Sequence, residues 1–359
     1  MKPPCVAIIA DDLTGALDAC APFARRGLHC LVAVTQAGLD DILHQAADVV
    51  CINTASRELA ADTARIRVAD MAARVAARRP GIAFKKIDSR LKGHVLAEIR
   101  ACQAAFGRSQ VLVAPAIPAQ GRFVRHGKIL GKGVAEPIDI AARLGNAFLV
   151  GDGSTDQEMQ QLAARHYRDD LLVGASGLSE GLAQTLTQKP PAPLLPVPLP
   201  MLIAIGSHDP VTMRQIERLR TLPGLRVHET ADGAIAVDLN ATGTMLVRAA
   251  SEPSRIDHGQ VLHRFGMAVA DQLRNGHFAS VLLCGGETAQ TVLDALGIAS
   301  VDLLGEALPG IPVSQAQLAG HALTILTKSG GFGTADDLFR IAEAARPANP
   351  GSYATERPA

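Results

Sequence analysis

The stretch Val6-Ala7-Ile8-Ile9-Ala10-Asp11-Asp12-Leu13-Thr14-Gly15-Ala16 decides how the rest of the chain is read. Five apolar residues without a break suit a strand buried on both faces. Asp11 and Asp12 stop the run, and Gly15–Arg26 continues as a helical stretch. A buried strand that passes through a polar turn into a helix opens a βαβ unit, from which parallel sheets with helical faces are built.

Outward from this stretch the alternation repeats. Leu31–Thr35, Val49–Asn53, Phe84–Ile87 and Val111–Ala114 read as buried strands, and Ala60–Arg79 and Val95–Phe106 as helices. In the last of these, Val95, Ile99, Cys102 and Phe106 recur at helical spacing and predict a core-facing stripe. Lys189–Pro200 breaks the pattern: its prolines fix φ and remove backbone donors, so it reads as an extended connector. Alternation then resumes. Met201–Ile205, Thr244–Arg248, Ser280–Cys284 and Ala322–Thr327 read as strands; Val211–Arg220, Gln260–Arg274, Glu287–Leu296 and Ala335–Ala344 read as helices. The expected fold is α/β, two three-layer domains with mainly parallel sheets and a ligand cleft between them. Domains are expected at 1–188 and 201–345, joined by the proline-rich linker 189–200 and followed by a loose tail over 346–359.

Composition excludes several classes. Lys plus Arg equals Asp plus Glu, 35 against 35, so no global field recruits nucleic acid or an anionic membrane. No apolar run reaches the length of a membrane span or a secretory leader. The six cysteines form no CxxC pair and several sit in apolar runs, which fits a reducing compartment and a cytoplasmic protein.

In an open parallel sheet, ligands bind beyond the carboxyl ends of the strands. In the first half those ends carry Asp11-Asp12, then Asn53-Thr54-Ala55-Ser56-Arg57, then Lys85 through His94, then Pro115 through Arg122. Together they offer carboxylates, hydroxyls and cations, a set suited to a small hydroxylated acid. Each has a plain structural reading too: one of the two aspartates is as readily an N-cap, and only one of Lys85 and Lys86 can point into a site. In the second half the strand ends carry Gly206-Ser207-His208-Asp209, Gly285-Gly286-Glu287-Thr288 and Lys328-Ser329-Gly330-Gly331-Phe332-Gly333, each before a helix. Glycine turns at helix N-termini make a cradle for a polyphosphate. Asp209 before Pro210 reads as an N-cap, and Thr334 with Asp337 resembles a capping box. The P-loop, the dinucleotide fingerprint and the protein-kinase motifs are absent.

These loops, in this order from Ala10 to about Leu338, resemble the four-carbon acid sugar kinase family. The resemblance implies a sugar-acid-binding N-terminal domain and a nucleotide-binding C-terminal domain. It also implies ATP-dependent phosphorylation of the terminal hydroxyl of an acid such as threonate, erythronate or a 3-oxo-tetronate. By motif match, Asp11 or Asp12, Arg57, Lys86, Asp88 and Ser89 would contact the acid; Arg90 and Arg122 join them as candidates, the carboxylate being held by Arg57 with Lys86, Arg90 or Lys92. Ser207, Gly285, Gly286, Glu287, Thr288, Gly330 and Gly331 would contact ATP, whose phosphates Mg²⁺ would bridge. The proton acceptor would be Asp12 first and Asp88 second. Three positions depart from the family pattern: Ala55 replaces an acid, Arg90 a threonine, and Asp209 a serine. The alternative is a non-catalytic protein of the same fold that binds acid and nucleotide. Sugar acid and ATP are the expected partners, with a homodimer expected from the habits of soluble enzymes.

Overall fold

Val6–Ala10 is a strand with all five residues buried, and it is hydrogen-bonded in parallel on both sides, to Val49–Asn53 and to Ile82–Lys86. The computed structural model describes residues 5–235, 239, 242–250, 257–276 and 278–347. It divides into two compact units, Met1–Pro193 with Ala299–Gly305, and Leu194–Ile298 with Glu306–Ala359. The division thus falls inside the proline-rich stretch. The excursion of Ala299–Gly305 into the first unit has no counterpart in the sequence reading.

In the first unit the sheet order is Ser300–Leu308 (the part up to Gly305), Cys30–Ala33, Val49–Asn53, Val6–Ala10, Ile82–Lys86, Leu171–Gly174, Val111–Ala114 and Leu149–Val150. All neighbours are parallel except the first pair, in which Ser300–Leu303 runs antiparallel to Cys30–Ala33. Helix Ser176–Leu186 packs on both Leu13–Ala24 and Asp156–His166, and Ala61–Ala76 packs with Val95–Phe106. Val95, Ile99 and Cys102 are buried as the stripe predicts, and Phe106 is half-buried. A small antiparallel sheet, Arg122–Arg125, Lys128–Gly131 and Ile138–Asp139, extends the loop after Val111–Ala114.

In the second unit the order is Arg226–Thr230, Thr244–Ala249, Met201–Ile205, Ser280–Cys284, His321–Lys328 and Ile311–Leu318. The first five are parallel, and the last is antiparallel to its neighbour. Helix Pro210–Leu219 packs on Asp337–Ala344, and His258–Asn275 on Gly286–Leu296. Among the described residues no helix is long and apolar enough to cross a membrane.

Boundaries moved where a side chain competes with the ladder. The second strand ends at Ala33 because Thr35 caps helix Gln36–Leu43, its hydroxyl accepting from the Gly38 amide at 3.3 Å. The final helix starts at Asp337 rather than Ala335, because the Asp337 carboxylate turns back to accept from the Thr334 amide at 2.9 Å and the Thr334 hydroxyl at 2.6 Å. The Thr334 hydroxyl therefore donates, where a capping box would have it accept. Of the expected loose tail, Arg346–Pro347 pairs in parallel with Pro198–Leu199, and the rest from 348 lies outside the described residues.

Candidate functional site

Because Val49–Asn53, Val6–Ala10, Ile82–Lys86, Leu171–Gly174 and Val111–Ala114 are parallel, the loops that follow them leave the same sheet edge. Asp12 is the N-cap of helix Leu13–Ala24, with Oδ1 accepting from the Gly15 amide at 2.8 Å and Oδ2 from the Thr14 hydroxyl at 3.2 Å. The loop after Val49–Asn53 folds onto Asp11, whose carbonyl accepts from the Ser56 and Arg57 amides at 3.0 and 3.3 Å. That placement sets Arg57 opposite both aspartates. Its Nε and Nη2 donate to the two Asp11 oxygens at 2.8 and 2.9 Å, and Nη1 donates to Asp12 Oδ2 at 2.5 Å. Three of the five guanidinium donors are therefore engaged within the protein. Two donors remain for the ligand carboxylate that Arg57 is expected to help hold.

Asp11 is buried, which opposes its charge, yet Lys85, Arg57 and Lys86 together hold its carboxyl below the usual carboxylate range. Lys85 and Lys86 alternate across the strand. Lys85 is fully buried and bonds Glu98 at 2.7 Å and the Lys86 carbonyl at 3.0 Å. Glu98 also accepts from the Ser56 hydroxyl at 2.6 Å, so the pair braces the Arg57 loop from beneath. Lys86 instead reaches the first turn of the helix at Gly15. Asp18, one turn further along, is half-buried; burial raises its carboxyl, Lys86 and a hydrogen bond from Ser176 pull the other way, and Asp12 adds to the rise.

A second cationic group lies on the next loops. Arg122 is buried, donating to the Ser89 hydroxyl at 2.5 Å and to the Lys132 carbonyl at 3.1 and 2.9 Å, and it forms no ion pair among the described residues. Arg90 donates to the Gly133 carbonyl at 3.3 Å, so both guanidiniums flank Gly133. Burial and the charge of Arg90 lower the Arg122 pKa, and Asp88 only partly offsets them. Asp88 itself is turned onto its own loop, accepting from the Arg90 and Lys92 amides at 2.8 and 3.4 Å.

In the second unit, Met201–Ile205, Ser280–Cys284 and His321–Lys328 are adjacent and parallel, so the three glycine loops lie side by side. The Gly285 amide donates to the Lys328 carbonyl at 3.0 Å and the Gly206 amide to the Cys284 carbonyl at 3.2 Å. Gly285 has φ 113°, a conformation that side-chain-bearing residues rarely adopt. Gly330 is packed against Ser207 and Asp209, leaving no room for a Cβ. Ser207 accepts from the Asp209 amide at 3.3 Å, and Asp209 caps helix Pro210–Leu219 as expected, accepting from Val211 at 2.8 Å. Gly286 opens helix Gly286–Leu296, Glu287 is exposed in its first turn, Thr288 is buried with its hydroxyl under Gly206, and Gly331 lies against Asp209.

Several residues in these frames carry no assignment in the sequence reading. Lys85 and Glu98 form the brace, and Asp18 joins the first edge. Lys328, Thr212 and Gln215 stand behind the last glycine loop: Lys328 and Thr212 donate to the Gly330 carbonyl, and Gln215 to the Phe332 and Thr334 carbonyls. The one available signal was the i, i+3 spacing of Thr212 and Gln215, two polar residues on the face of a helix that also buries Ile216 and Leu219.

Residues 6–137 match a sugar-binding N-terminal domain, and residues 202–338 match a nucleotide-binding C-terminal domain. A D-threonate kinase of Bordetella bronchiseptica is 28% identical over 96% of this chain and 98% of its own length. A 3-oxo-tetronate kinase of Methylobacterium radiotolerans is 26% identical over 91% of this chain and 96% of its own. A D-erythronate kinase of Heliobacterium modesticaldum is 36% identical over a shorter part, 38% of this chain and 31% of its own. The fold recurs in a solved Salmonella typhimurium protein, with TM-score 0.73 and 17% identity over 93% of this chain and 98% of that one. It recurs again in a solved Haemophilus influenzae protein, with TM-score 0.70 and 18% identity over 94% of this chain and 99% of that one. With both domain types in this order, and whole-length likeness to such kinases, the chain belongs to the four-carbon acid sugar kinase family.

Proposed function

We propose that the protein transfers the γ-phosphoryl group of ATP to a hydroxyl, the terminal one, of a four-carbon sugar acid such as threonate, erythronate or a 3-oxo-tetronate. The first unit takes the acid and the second takes the nucleotide. The observation that carries the acid assignment is Arg122, a buried guanidinium whose acceptors are a hydroxyl and a carbonyl, set beside Arg90 around Gly133. Two neighbouring guanidiniums repel each other, and a carboxylate between them would relieve that repulsion while taking paired N–H bonds. Arg57, bonded to Asp11 and Asp12, then orients these carboxylates and keeps two donors for the acid. Lys86, Asp88 and Ser89 complete the acid's surroundings.

Asp12 is the proposed proton acceptor, with Asp88 in second place. Its oxygens already accept from Gly15, Thr14 and Arg57, which fixes its direction. Direction matters more than basicity here, because phosphoryl transfer depends mainly on alignment and on neutralising charge. Mg²⁺ would arrive with ATP and supply charge neutralisation for its phosphates, and a small hard cation of this kind would need few protein carboxylates. Ser207, Gly285 to Thr288, Gly330 and Gly331 surround the phosphates in this reading.

The test is ADP release with Mg-ATP against a panel of erythronate and threonate enantiomers and their 3-oxo forms, with acid-free controls. Turnover with one acid, lost in Asp12→Asn, is the expected result. ATP binding without stimulation by any acid would overturn the acceptor class, and absence of ATP binding would overturn the kinase reading.

A further inference from the structure

The loop that follows strand His321–Lys328 turns its carbonyls to one side. Lys328 Nζ donates to the Ser329 and Gly330 carbonyls at 3.0 and 3.1 Å, and the Thr212 hydroxyl donates to the Gly330 carbonyl at 2.7 Å. Gln215 Nε2 donates to the Phe332 and Thr334 carbonyls at 3.1 and 2.7 Å. In a trans peptide the C=O and the following N–H point opposite ways. The amides of Gly330, Gly331, Gly333 and Ala335 therefore face away from these donors, and none of the four has an acceptor among the described residues. Successive outward amides of this kind form an anion-binding concavity.

We propose that Lys328 is a positioning residue for the nucleotide: from beneath the loop its ammonium holds the Ser329 and Gly330 carbonyls inward and so aims the Gly330 and Gly331 amides at phosphate oxygens. This rests on the reading of the loop as an ATP site. The ammonium is 1% exposed and forms no ion pair among the described residues, so it is placed to act on the loop and not on the ligand. The charged and titratable groups around it are Cys284, at 3.9 Å from its sulfur on the adjacent strand, Asp209 at the helix cap, and Asp337 on the last helix. Burial lowers the pKa of Lys328 against the opposing pull of Cys284, Asp209 and Asp337. Burial also raises the Cys284 thiol, against the pull of Lys328. As pH rises through the lowered lysine value the ammonium loses its charge, its hydrogen bonds to the two carbonyls weaken, and the amides are held less firmly in their aim.

The experiment compares wild type, Lys328→Met and Lys328→Arg in steady-state assays with Mg-ATP and the acid identified above, from about pH 7 to about pH 10. At neutral pH, Lys328→Met should raise KM for ATP about ten-fold or more and leave KM for the acid within about two-fold. In wild type KM for ATP should climb toward alkaline pH, and in Lys328→Arg that climb should vanish because guanidinium keeps its proton. Should Lys328→Met fail to fold, Thr212→Val, which removes one donor from the Gly330 carbonyl, should raise KM for ATP about three-fold. A folded Lys328→Met with unchanged KM for ATP, or an alkaline climb that persists unchanged in Lys328→Arg, overturns the role of Lys328 alone. Wild type that binds no ATP overturns the nucleotide reading beneath it.

Discussion

The two units use the same topological place, the carboxyl edge of a parallel sheet, and furnish it in opposite ways. In the first unit the edge is built from side chains. Asp11, Asp12 and Arg57 bond one another, and Arg90 and Arg122 flank Gly133. In the second the edge is built from backbone, with glycines where a Cβ would strain or collide and polar side chains turned inward against carbonyls. The difference follows from the ligands proposed for each. A small acid offers a few groups at fixed positions, which planar, directional side chains can match one by one. A triphosphate offers many equivalent oxygens along a flexible chain, which a row of amides can follow closely.

The contrast is broken most severely at Asp12. Asp12→Asn keeps one oxygen, enough to accept from Gly15 and cap the helix, and Arg57 keeps its two bonds to Asp11, so the fold should hold, while turnover should fall by roughly 10²–10⁴ with ATP affinity unchanged, as read by single-turnover kinetics and nucleotide titration. A loss confined to KM would mean that Asp12 binds and does not accept the proton. Next in size is the brace under the first edge. Lys85 and Glu98 are fully buried, so Glu98→Gln leaves a charged lysine without its hydrogen-bonded counter-charge, with only the field of Asp11 in its place, and should cost about 3–5 kcal/mol in denaturant unfolding. The double variant Lys85→Met with Glu98→Met should recover most of that. If the double variant is no more stable than Glu98→Gln, the brace is not an isolated pair, and its bond to Ser56 matters more.

A smaller but more diagnostic comparison crosses the two edges. Arg122→Ala should raise KM for the acid about 10- to 100-fold and leave KM for ATP alone, since a charged hydrogen-bonded contact is worth roughly 1.5–3 kcal/mol. Gly285→Ala should do the reverse: holding a side-chain-bearing residue near φ 113° costs about 1–3 kcal/mol of strain, which the loop sheds by shifting away from the phosphates. Added salt should weaken acid binding more than it weakens the amide contacts. Either variant acting on the other ligand's KM would contradict the division of labour.

Legibility in the sequence follows the same contrast. Acidic and cationic residues at strand ends announce themselves, so Asp11, Asp12, Arg57, Arg90 and Arg122 could be picked out by type. What type cannot say is which charges cancel: Arg57 looks as available as Arg122 until the loop places it on two aspartates. Amides, by contrast, belong to every residue, and the second edge was visible only through its glycines. Their supports, Thr212 and Gln215, lie on another helix more than a hundred residues from the carbonyls they hold. For the fold, long apolar runs such as Val6–Ala10, Val111–Ala114 and Ser280–Cys284 were readable to the residue, because burial on both faces leaves no periodicity to blur. Leu171–Gly174, four residues inserted between two earlier strands, was not, since strand order depends on long-range pairing. Ser300–Leu308 and Ile311–Leu318 alternate polar and apolar residues and run antiparallel to their described neighbours, outside the βαβ rhythm that organised the rest.

The smallest effect separates two carboxylates of the first edge by the sign of their response to acid. The Asp11 carboxyl is held below the usual range, so the folded state favours its charged form. Its contribution to stability is complete above the unfolded value, about 3.9, and is lost as pH falls through the lowered folded value. The Asp18 carboxyl is raised, so the folded state favours its protonated form. It costs stability above its folded value, and that cost fades as pH falls toward the unfolded one. Thermal unfolding from about pH 6 to about pH 3 should therefore show the deficit of Asp11→Asn shrinking toward the acid end. Asp18→Asn, which keeps a partner for Ser176 without a charge to bury, should be neutral or slightly stabilising near neutral pH and lose that advantage in acid. Parallel acid profiles for the two variants would mean that both carboxylates see one shared field. Opposite slopes would mean that Arg57 and Lys85 serve Asp11 individually, as expected of an edge assembled from paired side chains.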